Sequence, residues 1–206
     1  MDTENQNLQE IRRTNQRGGR CLSIIDLISA GTLTAEMAAF CWTLITRGAS
    51  FITGAVPGGA GKTTLMAALL AFLPPGERIV TVSDRNVIQT VNNKKSGNAC
   101  CLLAHEIGQG PWFAYIWGET AREFFACRGP GTRPVTCLHA DTPAQTTEIL
   151  EDCGVPGDDI DAIGMHLYIR AIGRPSPSRK VMAVHCILDG KLTPVYRWDG
   201  SDNQHE

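Results

Sequence analysis

The run Val56-Pro57-Gly58-Gly59-Ala60-Gly61-Lys62-Thr63-Thr64 constrains this chain more than any other feature. The residues before it, Ser50 to Val56, read as a buried strand. Those after it, Lys62 to Leu73, have helical character until Pro74-Pro75-Gly76 stops them. Strand, glycine turn and helix in that order make a loop whose backbone N–H groups turn inward around an anion. Glycines are needed because only they allow the dihedrals and the close approach. The helix start adds its positive dipole end. Pro57, Gly58, Gly59, Ala60, Gly61, Lys62, Thr63 and Thr64 are therefore the expected nucleotide-binding residues. Lys62 would place its ammonium on the β- and γ-phosphates, Thr63 would ligate Mg²⁺, and Thr64 would sit near the α-phosphate. Val56 stands where the strict pattern has glycine.

The chain around this loop can build one medium domain. It has 206 residues, 43% hydrophobic and 19% charged, with a formal net charge of -2. That balance gives no general pull toward nucleic acid, and no basic patch with interleaved aromatics suggests it locally. No apolar run is long enough to span a bilayer, and the polar start MDTENQNLQE is unlike a signal peptide. The expected location is the cytoplasm. The eight cysteines form no C-x-x-C pair, and they read as small buried hydrophobes better than as a metal site built on Cys137 and His139.

Residues 1–20 read as a polar lead segment, mobile or docked on a partner, with a Gly18-Gly19 break. Residues 21–200 read as one domain and 201–206 as a polar tail. Helices are expected at Leu22 to Ile28, after a Thr34 cap, and at Ala144 to Asp152. Further strands are expected at Arg78 to Val82, Phe113 to Trp117 and Pro134 to Leu138, with a polar loop at Asn92 to Asn98. Asp189-Gly190 between two apolar runs predicts a C-terminal β-hairpin. Strands alternating with helices imply an α/β fold, a mostly parallel sheet flanked by helices. Ligands of such sheets gather at the carboxyl ends of the strands. Asp84, Glu119 and His139 all follow expected strands, so each is a candidate catalytic residue. Glu119 would orient the attacking water or hold Mg²⁺ through water, Asp84 would serve water or metal, and His139 would sense the γ-phosphate.

In this order the motifs resemble the RecA-like P-loop domain of the motor ATPases of type II and type IV secretion, pilus and archaellum systems. The resemblance runs from about Leu22 to Trp198. GGAGKTTLMAALLAFLPPGERIVTVSD is its most specific stretch, and Asp84 matches the end of the family's acidic box. Trp117-Gly118-Glu119 is similar to the family's Walker B ending, and TCLHADT to its histidine box. The resemblance implies ATP and Mg²⁺ as ligands, Glu119 as catalytic carboxylate and His139 as phosphate sensor. It also implies a homo-oligomer, a hexameric ring, on the cytoplasmic face of a membrane secretion or pilus complex. A neighbouring subunit would supply positive charge, from Arg12, Arg13, Arg17, Arg20 or Arg122. A catalytically reduced nucleotide-binding adaptor is the alternative. Val56, Ser83 and the compressed stretches 85–111 and 120–133 favour it. A partitioning ATPase fits less well, since Pro57 stands where that family has a lysine. A GTPase would need a guanine-recognition motif, which the sequence lacks.

Overall fold

The computed structural model describes residues 2–16, 20–56, 58–93, 99–173 and 175–200. Arg17, the Gly18-Gly19 break, Pro57, most of the expected 92–98 loop and the 201–206 tail lie outside the described residues. Three helices lead the chain, α1 (Thr3–Arg13), α2 (Ile24–Ser29) and α3 (Ala35–Thr46). Then come β1 (Phe51–Gly54), α4 (Lys62–Leu70), β2 (Arg78–Thr81) and α5 (Arg85–Asn93). Three short strands follow, β3 (Cys100–Leu103), β4 (Glu106–Ile107) and β5 (Tyr115–Ile116). The rest is α6 (Glu119–Ala126), β6 (Thr132–Leu138), α7 (Pro143–Asp152), α8 (Gly157–Asp161), β7 (Met165–Ile172), β8 (Ser178–Leu188) and β9 (Lys191–Arg197).

Helix starts are set by side chains that satisfy free N–H groups. Ser23 and Asp26 form a capping box on α2, the Thr34 hydroxyl accepts from Met37 N at 3.1 Å, and Thr142 caps α7 ahead of Pro143. The main sheet runs β2-β3-β6-β1-β7-β8-β9. Its first five strands are parallel, and β8 and β9 return antiparallel. Asp189 and Gly190 both have positive φ, which closes the β8–β9 hairpin with the twist such a turn requires.

Alternation along the strands divides two cores. Phe51, Cys101, Leu103 and Val135 pack with Leu27, Met37, Ile45 and Leu65 of the α2–α4 side. Ile52, Leu102 and Leu138 pack with Ile88, Phe124 and Leu150 of the α5–α7 side. Burial on both faces is what parallel strands need.

Two expectations from the sequence differ from what is observed. The lead segment holds an 11-residue helix, capped by Asp2 and docked on the β2 edge. Asn7 donates to Glu77 O at 2.7 Å and accepts from Ile79 N at 2.8 Å, and Ile11 packs on the first core. The exposed strand edge, rather than an apolar stripe, anchors this helix. The third strand of the main sheet is Cys100–Leu103, not Phe113–Trp117, which contributes only the two-residue β5 paired to β4. Pairing on both sides, to β2 and β6, fixes β3 where local aromatic propensity points elsewhere.

Candidate active site

β1 ends at Gly54, where a Cβ would collide with the Ala140 carbonyl oxygen and the Tyr168 ring. The loop that follows is pinned at its entry: Val56 N donates to Asp141 Oδ1 at 2.9 Å. Asp141 is held in turn by Arg170 at 2.8 Å. The loop closes at Gly61, whose φ of +105° no other residue adopts without strain, and α4 begins with Lys62. Val56 is thus accommodated by an entry held from outside the loop.

Lys62 is the centre of the site. Its Nζ lies 2.6 Å from Glu106 Oε2, with the two side chains only 9% and 6% exposed. Two opposite charges so deep are tolerable only as a pair. His139, following β6, brings Nε2 to 3.1 Å from Glu106 Oε1 and 3.3 Å from Lys62 Nζ. A proton on Nε2 lets the ring donate to Oε1, so one carboxylate receives both neighbours. Register explains the meeting: β4 pairs with the end of β6 at Ile107 and Leu138, and β1 pairs with β6 at Gly54 and Leu138. Thr63 brings its hydroxyl to 3.9 Å from Cys137 Sγ. The Cys137 thiol packs against Thr53 and Met66 at 3.1 and 3.5 Å, and burial pushes it up to about 11. Among the described residues no three His, Cys, Asp or Glu side chains cluster as a metal site.

A cavity of about 700 Å³ opens beside the loop, within the usual range for small-molecule sites. Gly59, Gly61, Lys62, Thr63, Thr64 and Glu106 line one part of it. Thr14 to Gln16, Arg20 to Leu22, Trp112, Tyr115 and Arg179 line the rest. The lead segment thus reaches the site. Gln16 Nε2 lies 2.6 Å from His105 Nδ1, and Arg13 stacks on the Phe113 ring at 4.5 Å.

Of the carboxylates expected from the sequence, neither Glu119 nor Asp84 is brought to Lys62. Glu119 opens α6, is 57% exposed, and is engaged by Arg85 at 3.1 Å and Arg122 at 3.4 Å. Asp84 accepts from Ser83 Oγ at 3.0 Å and from Asn86 N at 2.8 Å. The Ser83 hydrogen bond and the Asn86 N–H hold its carboxyl below the usual range, as suits a turn entering α5. Neither residue lines the cavity. Sequence reasoning did not single out Glu106, which the fold brings to Lys62. Its signal was present as four apolar residues, Cys100–Leu103, with a carboxylate three residues on.

Two buried imidazoles add a pH dependence. Burial, with the Arg13 charge adding to it, pulls His105 down to about 4. Burial pulls His166, beside the Tyr168 hydroxyl at 3.2 Å, to about 4 as well. An unfolded histidine takes up its proton near 6.5, whereas these cannot until about 4. The unfolded state therefore binds more protons in that window, and stability is lost as pH falls through it. Thermal melts from about pH 7 down to about pH 4.5 should show a steady fall in Tm from this source. A flat profile would mean that these rings are not held neutral.

No protein-family model matches the chain. Among curated proteins it is similar to uncharacterized protein MJ1287 of Methanocaldococcus jannaschii, 27% identical over 209 positions that cover 88% of this chain and 77% of that protein. A shorter match, 40% identical over 72 residues, links it to uncharacterized protein MJ0781 of the same organism, covering 33% of this chain and 10% of that protein. Solved structures that share its fold include two ATPases. The VirB11 ATPase of the Brucella suis type IV secretion system aligns with a TM-score of 0.55 and 16% identity over 89% of this chain. The Legionella pneumophila ATPase DotB aligns with a TM-score of 0.52 and 13% identity over 84% of this chain. The chain spans 65% and 53% of those two structures. At such identities the likeness is one of fold: a RecA-like α/β domain. Among the described residues no helix is long and apolar enough to cross a membrane.

Proposed function

We propose that the chain is an ATP-binding and ATP-hydrolysing module of the secretion-motor kind, with Glu106 as its catalytic carboxylate. The observation that carries this reading is the grouping of Lys62, Glu106 and His139 under a glycine loop at the carboxyl ends of parallel strands. The loop N–H groups and Lys62 would hold the β- and γ-phosphates. Glu106 would orient a water for in-line attack on the γ-phosphorus and accept its proton as the bond to the β–γ bridging oxygen breaks, giving ADP and phosphate. His139 would report on the γ-phosphate by hydrogen bonding. Asp84 and Glu119, engaged elsewhere, are left out of this chemistry.

Mg²⁺ suits the residues present. The Thr63 hydroxyl lines the cavity and its partner is a thiol at 3.9 Å, too weak a contact to occupy its lone pairs. Thr63 would ligate the ion, with Glu106 reaching it through water. Bound there, the ion would neutralise charge on the transferring phosphoryl group.

In this reading the working form is a homo-oligomeric ring, hexameric by resemblance, docked on the cytoplasmic side of a membrane secretion or pilus complex. A neighbouring copy would complete the charge around the terminal phosphate. The adaptor reading differs in one respect only, the absence of turnover. The test is Mg-ATP turnover and nucleotide binding by the purified chain, beside Lys62→Ala. The parent should turn over, and the variant should lose binding by roughly a hundredfold, since a charge-assisted phosphate contact and its buried setting both go. Binding that depends on Lys62 without turnover would favour the adaptor. Binding indifferent to Lys62 would sink both readings.

A further inference from the structure

A polyphosphate carries more charge than the committed cations of this cavity can balance. Arg20, Lys62 and Arg179 are the basic side chains among its described lining. Arg20 is forked onto Asp26, at 2.7 and 3.2 Å. Lys62 is held by Glu106. Arg179 is exposed, and among the described residues it has no ion-pair partner.

Its position follows from the topology. β8 runs antiparallel to β7, with Arg179 opposite Ala171 near the carboxyl end of that strand. The start of β8 thus lies at the same edge of the sheet as the exits of the parallel strands. There the Arg179 side chain crosses the loop. A Cβ on Gly61 would lie 3.1 Å from Arg179 Cδ and 3.5 Å from its Nε, with Ile169 Cδ1 at 3.4 Å. In the sheet order, Glu106 and His139 belong to the β6 side of β1, and Ile169 and Arg179 to the β7–β8 side. The loop is therefore flanked by the carboxylate on one side and, on the other, by a guanidinium with no ion-pair partner among the described residues.

We propose that Arg179 grips the diphosphate shared by ATP and ADP, from the side of the loop opposite Glu106. The inference rests on the nucleotide-binding reading above and deepens it. If bond cleavage occurs beside Glu106, the terminal phosphate lies on that side, and the α- and β-phosphates extend toward β7 and β8. A guanidinium suits them, because its planar fork can bond two phosphate oxygens at once, which an ammonium cannot.

The experiment is calorimetric titration of the chain, of Arg179→Ala and of Arg179→Lys, with Mg-pyrophosphate, Mg-ADP and Mg-ATP. Arg179→Ala should weaken all three by a similar factor, roughly tenfold, and Arg179→Lys should restore only part of it. Unchanged pyrophosphate and ADP affinities would overturn the proposal while leaving the nucleotide reading intact. A loss confined to ATP would also overturn it, because the side chain would then belong to the terminal phosphate. Pyrophosphate binding without nucleotide binding in the parent would refute the nucleotide reading, and the pyrophosphate arm would then decide Arg179 alone. A parent that binds none of the three would overturn both.

Discussion

Glu106→Gln is expected to lower Mg-ATP turnover at least about a hundredfold, the usual cost of losing a residue that takes the proton of an attacking water. Nucleotide affinity should hold or rise in the same variant. Before phosphate arrives, Glu106 is the partner of Lys62 at 2.6 Å, so it competes with the ligand for that ammonium. Glutamine keeps the shape and removes the competing charge. The paired control is Glu119→Gln. Glu119 is 57% exposed and serves Arg85 and Arg122, and exposed pairs of that kind contribute little because solvent screens them. Turnover of the control should therefore stay within about twofold of the parent, by the small energies of exposed pairs. Steady-state kinetics and ADP titration on the two variants separate the assignments. Turnover lost in Glu119→Gln and kept in Glu106→Gln would reverse the roles of the two glutamates.

The contrast between those glutamates shows where local sequence stops being informative. The strand, glycine turn and helix were legible because their pattern is local: β1, the glycines and the start of α4 follow one another within Phe51 to Thr64. The parallel sheet and the closing hairpin were legible for a similar reason, since strand–helix alternation and Asp189-Gly190 are short-range patterns. Glu106 and Glu119 each follow an apolar run, and local propensity favours the aromatic one, Phe113 to Trp117. What separates them is long-range register, with Leu102 paired to Val80 and to Pro134. Nothing within a few residues of Cys100 encodes that pairing. The docking of α1 was illegible for a related reason. Its anchors are polar, Asn7 on the β2 edge and the Glu10 carboxylate accepting from Thr81 at 2.5 Å. A polar helix held by a sheet edge has the composition of a mobile tail.

Arg133→Met is expected to cost about 3–5 kcal/mol of stability, the range for removing one member of a buried ion pair. Arg133 on β6 reaches Glu77 Oε2 at 2.6 Å, with the side chains 8% and 4% exposed. The same guanidinium donates to the carbonyls of Ile45 and Ala49, so it ties β6 to the start of β2 and the end of α3. Methionine fills the space but leaves the Glu77 carboxylate buried with no counter-ion, and Glu77 Oε1 already has no hydrogen-bond partner among the described residues. For a domain of this size the loss corresponds to a fall in Tm of roughly 10 °C. Its pH dependence has a definite sign. Burial holds the Glu77 pKa above its ordinary value, with Arg133 pulling against it. A carboxyl whose folded pKa is raised contributes stability that is full below its unfolded pKa and is lost as pH rises through the folded one. Without Arg133 the shift grows, so the deficit of the variant should widen as pH rises above the ordinary carboxylate range. The double variant Arg133→Met, Glu77→Gln should recover much of the lost Tm, because the stranded charge is gone. A double variant no more stable than Arg133→Met would place the loss in the contacts to Ile45 and Ala49 instead of the ion pair.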